Sequence, residues 1–162
     1  MVSAGALERA RAACASVADP EQPVVTIGDL GIVREVSVDD HGRVEVVVTP
    51  TYSGCPATDA IRDDIRSALR RAGFADVAVR TMLAPAWSTD WITAAGRRKL
   101  AAHGIVPPGP ASGGVVDLEI GVRCPRCGSI DTKLVSRFGS TACLAMRRCT
   151  SCLEPFDHVK PH

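Results

Sequence analysis

The hydrophobic positions along the chain follow two periods. Ile61, Ile65, Ala68, Leu69 and Ala72 recur at i, i+4, i+7, i+8 and i+11, with Arg and Asp opposite them. That period predicts an amphipathic helix over 58–73, stopped by Gly73. Leu7, Ala10, Cys14 and Val17 predict another over 5–17, ended by the prolines of "ADPEQP". β-branched runs on either side of "DDHG" predict a hairpin that ends in "RVEVVVTP". "ADVAVRTML" reads as a third strand, "APAWSTDWI" as a loop, and residues 94–103 as a short helix closed by Gly104.

The order helix, hairpin, helix, strand, helix defines an α+β domain with a small mixed sheet, assigned to residues 1–104. Pro, Gly, Ser and Ala dominate 105–114, which reads as a linker. Residues 115–162 are too few to bury a core of their own and need a covalent or metal staple.

Composition narrows the function classes. Nineteen Lys and Arg balance 18 Asp and Glu, a formal charge of +1, so no overall field draws nucleic acid or a membrane surface. No apolar run is long enough to span a bilayer, and the first residues lack a secretory hydrophobic region. The expected location is the cytoplasm.

The seven cysteines are spread unevenly. "CPRC" (124–127) and "CTSC" (149–152) give C-x2-C, 21 residues, C-x2-C. Cys124, Cys127, Cys149 and Cys152 therefore predict a tetrahedral all-sulfur site of the zinc-ribbon kind, with structural Zn2+. An iron–sulfur cluster and disulfides are the alternatives. Cys143 reads as a strand-face residue, and His158 and His162 as solvated tail residues. Arg123, Arg126, Arg137, Arg147 and Arg148 read as a solvated basic face. The aromatics needed for base stacking are nearly absent, which argues against nucleic acid.

Cys55 stands alone in "VTPTYSGCPATDAI", followed at once by Pro56. Proline favours the first helical position, so Cys55 is expected at or beside an N-cap, where the helix dipole favours a thiolate. A buried structural cysteine is the alternative. His41 and His103 offer no persuasive base for a thiol enzyme. One thiolate cannot hold a cluster that wants four ligands, so further ligands must come from Glu21, Asp29, a second copy of the chain or a partner.

Three stretches then carry a resemblance: "DPEQPVVTIGDLGIVREV" (19–36), "VTPTYSGCPATDAI" (48–61) and "LAPAWSTDWI" (83–92). In this order they resemble the SufT-like domain of iron–sulfur assembly factors. Followed by a four-cysteine ribbon, the domain is similar to the accessory proteins of the multicomponent phenylacetyl-CoA epoxidase of phenylacetate degradation. The resemblance implies a non-catalytic maturation factor that assists iron–sulfur cluster or iron delivery to the epoxidase, above all to its iron–sulfur flavin reductase. It implies that Cys55 binds the cargo transiently, with Glu21 and Asp29 beside it. Thr49, Thr51 and Ser53 are expected to shape the loop, Asp90 to cap the short helix or to neighbour the site, and Trp87 and Trp91 to serve core and interface. Ligand counting adds a homodimer that brings two Cys55 thiols together. The alternative is a scaffold component without metal transfer.

Overall fold

A computed structural model describes residues 4–52, 54–109 and 121–161. The chain divides into two compact units, Met1–Trp87 and Ser88–His162.

In the first unit α1 (Ala4–Ala15) leads to the hairpin β1 (Val33–Val38) and β2 (Val44–Val48), then α2 (Thr58–Arg71) and β3 (Val77–Thr81). β2 is the central strand, antiparallel to β1 and parallel to β3, so the sheet is mixed as expected. A hairpin turn suffices for the first pairing, and α2 is the crossover that the parallel pairing needs. α2 buries Ile61, Ile65, Ala68 and Leu69, the stripe that its period predicts. Ala10 and Cys14 of α1 are fully buried, as are Val44 and Val46 of β2. Burial raises the Cys14 thiol pKa to about 11, so this cysteine is a core residue with no nucleophilic character.

The hairpin turn is organised by Asp39. Its Oδ1 accepts from the N–H groups of His41 and Arg43, both at 2.9 Å. Gly42 follows at φ 82°, the left-handed conformation that glycine takes without strain. Gly73 at φ 95° closes α2, as its place in the sequence predicts.

The second unit holds a single 3₁₀ turn (Thr89–Trp91), α3 (Ala94–Ala102) and a sheet of β4 (Thr132–Ser136), β5 (Leu144–Cys149) and β6 (Pro155–Val159). Both strand pairings are antiparallel. Ser88 caps the 3₁₀ turn and Thr93 caps α3, its hydroxyl accepting from Gly96 N–H. Asp90 is exposed and caps neither helix, so the expected capping role passes to these two residues.

The division after Trp87 falls earlier in the chain than the composition placed it. α3 lies in the same unit as the ribbon strands. Val106 pairs with β6 beside His158, donating to Asp157 O and accepting from Val159 N–H. The first residues of the expected linker are therefore a short sheet edge. Its later part, 110–114, lies outside the described residues, as does His162.

Candidate functional site

Two cysteine sites emerge, one in each unit. The ribbon site is built by two knuckles, each a tight turn that aims backbone N–H groups at its own sulfurs. Cys124, Cys127, Cys149 and Cys152 place their sulfurs within 4.8 Å of one another. The pairs Cys124–Cys152 and Cys127–Cys149 are 3.6 Å apart. Four sulfurs about 2.3 Å from a tetrahedral zinc lie about 3.8 Å from each other, so the donor set fits that ion. The N–H of Cys152 points at Cys149 Sγ at 3.5 Å. This hydrogen bond, joined by that of Ser151, holds the Cys149 thiol down to about 6. At Cys127 the N–H of Ser129 acts in the same sense, but the neighbouring sulfurs outweigh it and raise that thiol to about 12. Four sulfurs this close cannot all ionise unaided; a divalent cation supplies the charge that lets them.

Cys124 and Cys149 are buried together with Phe156, and Val106, Val122 and Cys152 pack around them. The metal site is therefore also the core of the ribbon. All four positions are cysteine, which leaves no coordination position open for chemistry on a bound zinc.

Two ribbon residues differ from expectation. Arg147 is only 1% exposed and donates to the hydroxyl and carbonyl of Thr132, so it is not part of a solvated face. His158 is 3% exposed on β6 rather than solvated, and burial followed by the charge of Arg147 lowers its pKa. It lies outside the four-cysteine cluster.

The second site surrounds Cys55. Its approach is the loop after β2, where Thr49 is buried and its N–H donates to Ile32 O at 2.9 Å. Among the described residues the Thr49 hydroxyl has no hydrogen-bond partner, and Ser53 lies outside them. Cys55 N–H donates to Tyr52 O, and the Thr58 N–H and hydroxyl both donate to Cys55 O, at 3.2 and 2.9 Å.

This turn carries Pro56 and Ala57 ahead of the helix. The N-cap of α2 is Ala57, two residues beyond Cys55, and not Cys55 itself. The expected thiolate is also overturned. Burial raises the Cys55 pKa above its ordinary value. The N–H of Ala57 opposes that shift, while the charges of Glu21 and Asp19 add to it. The thiol is half-buried and protonated at neutral pH.

Glu21 thus acts on Cys55 from the 19–23 turn. Asp19 forms that turn, its Oδ1 accepting from the N–H groups of Glu21 and Gln22 at 2.9 and 2.7 Å. Burial raises the pKa of Asp19, and burial with the neighbouring Asp19 charge raises that of Glu21. Sequence reasoning missed Asp19 as a neighbour of the thiol; its signal was the "DPE" triplet.

Asp29 is placed differently. Its carboxylate accepts from Thr26 N–H and its own N–H donates to Thr26 Oγ1, both at 3.0 Å. It closes a reciprocal turn that ends in Gly31 at φ 68°. Trp87 is buried and its indole N–H donates to Leu30 O at 2.8 Å, which ties the third motif to the first.

Such an arrangement is an iron–sulfur assembly domain followed by a zinc ribbon, and comparison with known proteins agrees on both parts. Residues 7–80 match the family described as iron–sulfur cluster assembly protein, and residues 109–160 match the PaaD zinc beta ribbon domain. An Escherichia coli K12 protein, provisionally named as the D component of a 1,2-phenylacetyl-CoA epoxidase, is 51% identical over 144 residues, covering 89% of this chain and 86% of that one. The chain belongs to the family of that epoxidase component. The SufT iron–sulfur maturation auxiliary factor of Staphylococcus aureus is 35% identical over 78 residues, 48% of this chain and 88% of its own. A crystal structure of a DUF59 domain from Bacillus anthracis superposes with a TM-score of 0.55 at 26% identity, covering 59% of this chain and 92% of that one.

Proposed function

We propose that this protein is a non-catalytic maturation factor that delivers an iron–sulfur cluster or iron to a phenylacetyl-CoA epoxidase, with the iron–sulfur flavin reductase as its client. The observation that carries this reading is the half-buried Cys55 thiol, within reach of the charges of Glu21 and Asp19, in a domain of the iron–sulfur assembly family. A thiol beside carboxylates offers soft and hard donors to iron, yet too few to hold it permanently. The protonated thiol suits a carrier as well. Metal must displace the proton, so binding is weaker than at a preformed thiolate and the cargo is released readily. A dimer with paired Cys55 residues would complete the ligand set. Asp29, braced against Thr26, serves this reading less directly than Glu21.

A second reading is a scaffold component of the epoxidase without metal transfer, in which Cys55 is a structural residue; its half-burial and raised pKa fit that role too. The two separate on the Cys55→Ser variant. Apo-reductase is incubated with anaerobically loaded wild type or variant, and its cluster absorbance and activity are followed. Delivery predicts a folded variant that leaves the reductase empty; equal loading by the two proteins rules delivery out and supports the scaffold.

A further inference from the structure

The near-neutral net charge conceals an asymmetry. Residues 4–87 hold 9 Lys and Arg against 12 Asp and Glu, whereas residues 121–161 hold 7 against 3. The ribbon is a basic body, and its charges and exposed apolar groups gather on one face. In the β4–β5 pairing Lys133 opposes Arg148 and Ser136 opposes Met146. Directly opposite residues share a face, so Lys133, Arg148 and Met146 lie together on the outer side, away from Arg147 and Cys149. Val135, in the irregular stretch of β4, is 58% exposed, Phe138 67% and Met146 37%. Lys160 stands over the Phe138 ring, 4.8 Å from its centre.

Like charges set directly opposite each other cost stability. Among the described residues neither Lys133 nor Arg148 forms an ion pair: Arg148 Nε donates to Leu153 O at 3.4 Å, Glu154 pairs with Arg126 at 2.7 Å, and Asp157, opposite Met146 on the same face, accepts from the Ser140 hydroxyl at 2.8 Å. Two unpaired cations on a hairpin face that also exposes Met146, with Val135 and Phe138 exposed along the same hairpin, form an arrangement that an anionic, partly apolar surface would complete. We infer that the outer face of the β4–β5 hairpin docks an acidic, apolar-bearing segment of a client protein, the contact that holds the client while the Cys55 site works. This rests on the maturation reading, because it supplies that reading's client with a place to bind.

Other occupants fit less well. A nucleic acid would satisfy the cations but leave Val135 and Met146 facing phosphates, with Phe138 alone to stack on. A second copy related by a two-fold axis would bring the same cations against each other. Strand addition at β4 is discouraged by its register irregularity and by Lys133.

The test measures binding of the full-length, zinc-loaded protein to each purified component of the cognate phenylacetyl-CoA epoxidase, by calorimetry at low and high salt. Four proteins are compared with wild type: Lys133→Glu/Arg148→Glu, Val135→Ser/Met146→Ser, the surface control Arg71→Glu, and Cys55→Ser. Zinc content and thermal melting confirm that each is folded. The expected result is salt-sensitive binding of one component, weakened about tenfold or more by either face variant and unchanged in the other two. Face variants that bind as wild type does overturn the proposal, as does a wild type that binds no component. Salt-dependent binding to duplex DNA, lost in the charge variant, would replace it with a nucleic-acid surface. A concentration-dependent dimer lost in the apolar variant would replace it with self-association. The maturation reading fails separately: Cys55→Ser would then load the reductase normally while the face variants still lose binding.

Discussion

Gly28 lies so close to Ala15 that a methyl group in its place would come within 2.8 Å of the Ala15 Cα and Cβ and 2.7 Å of its carbonyl oxygen. The backbone of Gly28 is not left-handed, so space alone excludes a side chain. This contact seats the "GDLG" turn on the end of α1, and the same turn presents Leu30 O to Trp87. Gly28→Ala should therefore cost about 1–3 kcal/mol by overpacking, since the clash is largely with backbone and cannot be relieved by a rotamer change. Urea unfolding of the two proteins checks it; an unchanged midpoint would mean that α1 shifts freely.

Glu21 and Cys55 can be uncoupled without touching the thiol. Burial is the first cause of the raised Cys55 pKa, and the Glu21 charge, which adds to it, can be removed by mutation. Glu21→Gln should lower the pKa, because the neutral amide no longer opposes the thiolate. Iodoacetamide should then label Cys55 faster in the variant at every pH below the thiol pKa. In both proteins the rate should climb about tenfold per pH unit across neutral pH, as thiolate forms. Fully buried Cys14 should stay unlabelled and serve as an internal reference. Identical rates in the two proteins would remove Glu21 from the site.

Asp19 makes a prediction with a definite sign. Its folded pKa is raised above the ordinary 3.8 by burial, so the folded state binds this proton more tightly than the unfolded state does. The favourable contribution is present below the unfolded pKa and is lost as pH rises through the folded one. Asp19→Asn keeps an oxygen that can accept from Glu21 and Gln22 N–H, and it carries no charge. The variant should gain on wild type as pH rises through that window and hold the gain at neutral pH. Asp19→Ala, equally uncharged, also loses both hydrogen bonds and should lie about 1–3 kcal/mol below Asp19→Asn at every pH. Denaturation midpoints from acid to neutral pH separate the two effects.

The parts of the fold that periodicity governs were legible in the sequence. The Ile61-to-Leu69 stripe, the Asp39 turn and the paired C-x2-C knuckles are local patterns, and each is where it was expected. β6 was not, because "PFDHV" contains Pro155, Asp157 and His158, which read as a polar tail. It becomes a strand because Phe156 packs against the cysteine cluster and His158 is drawn in beside it. Arg147 misled for a related reason: an arginine beside Arg148 reads as solvated, and hydrogen bonds to Thr132 on the neighbouring strand help to make its burial tolerable. The Cys55 environment depended on long-range placement. Proline after cysteine suggests a helix start, but desolvation is the largest influence on the thiol, with the charges of Glu21 and Asp19 adding to it, and neither is a local property.

Zinc removal should divide the molecule along its two units. Phe156, Val106 and Val122 pack into one cluster with the cysteines, so this part of the ribbon depends on its metal. The first unit keeps an aliphatic core of its own, from Ala10 and Cys14 through Ile65 and Leu69. Wild type should carry one zinc per chain. A strong chelator should release it and expose four thiols, those of Cys124, Cys127, Cys149 and Cys152. Amide exchange should then accelerate across β4, β5 and β6, while α2 and β2 keep their protection. Acid should do the same, because protons compete for the sulfurs as pH falls, and zinc release and ribbon opening should share one midpoint. Exchange that stays slow in β5 after complete zinc loss would show that the ribbon folds without its metal.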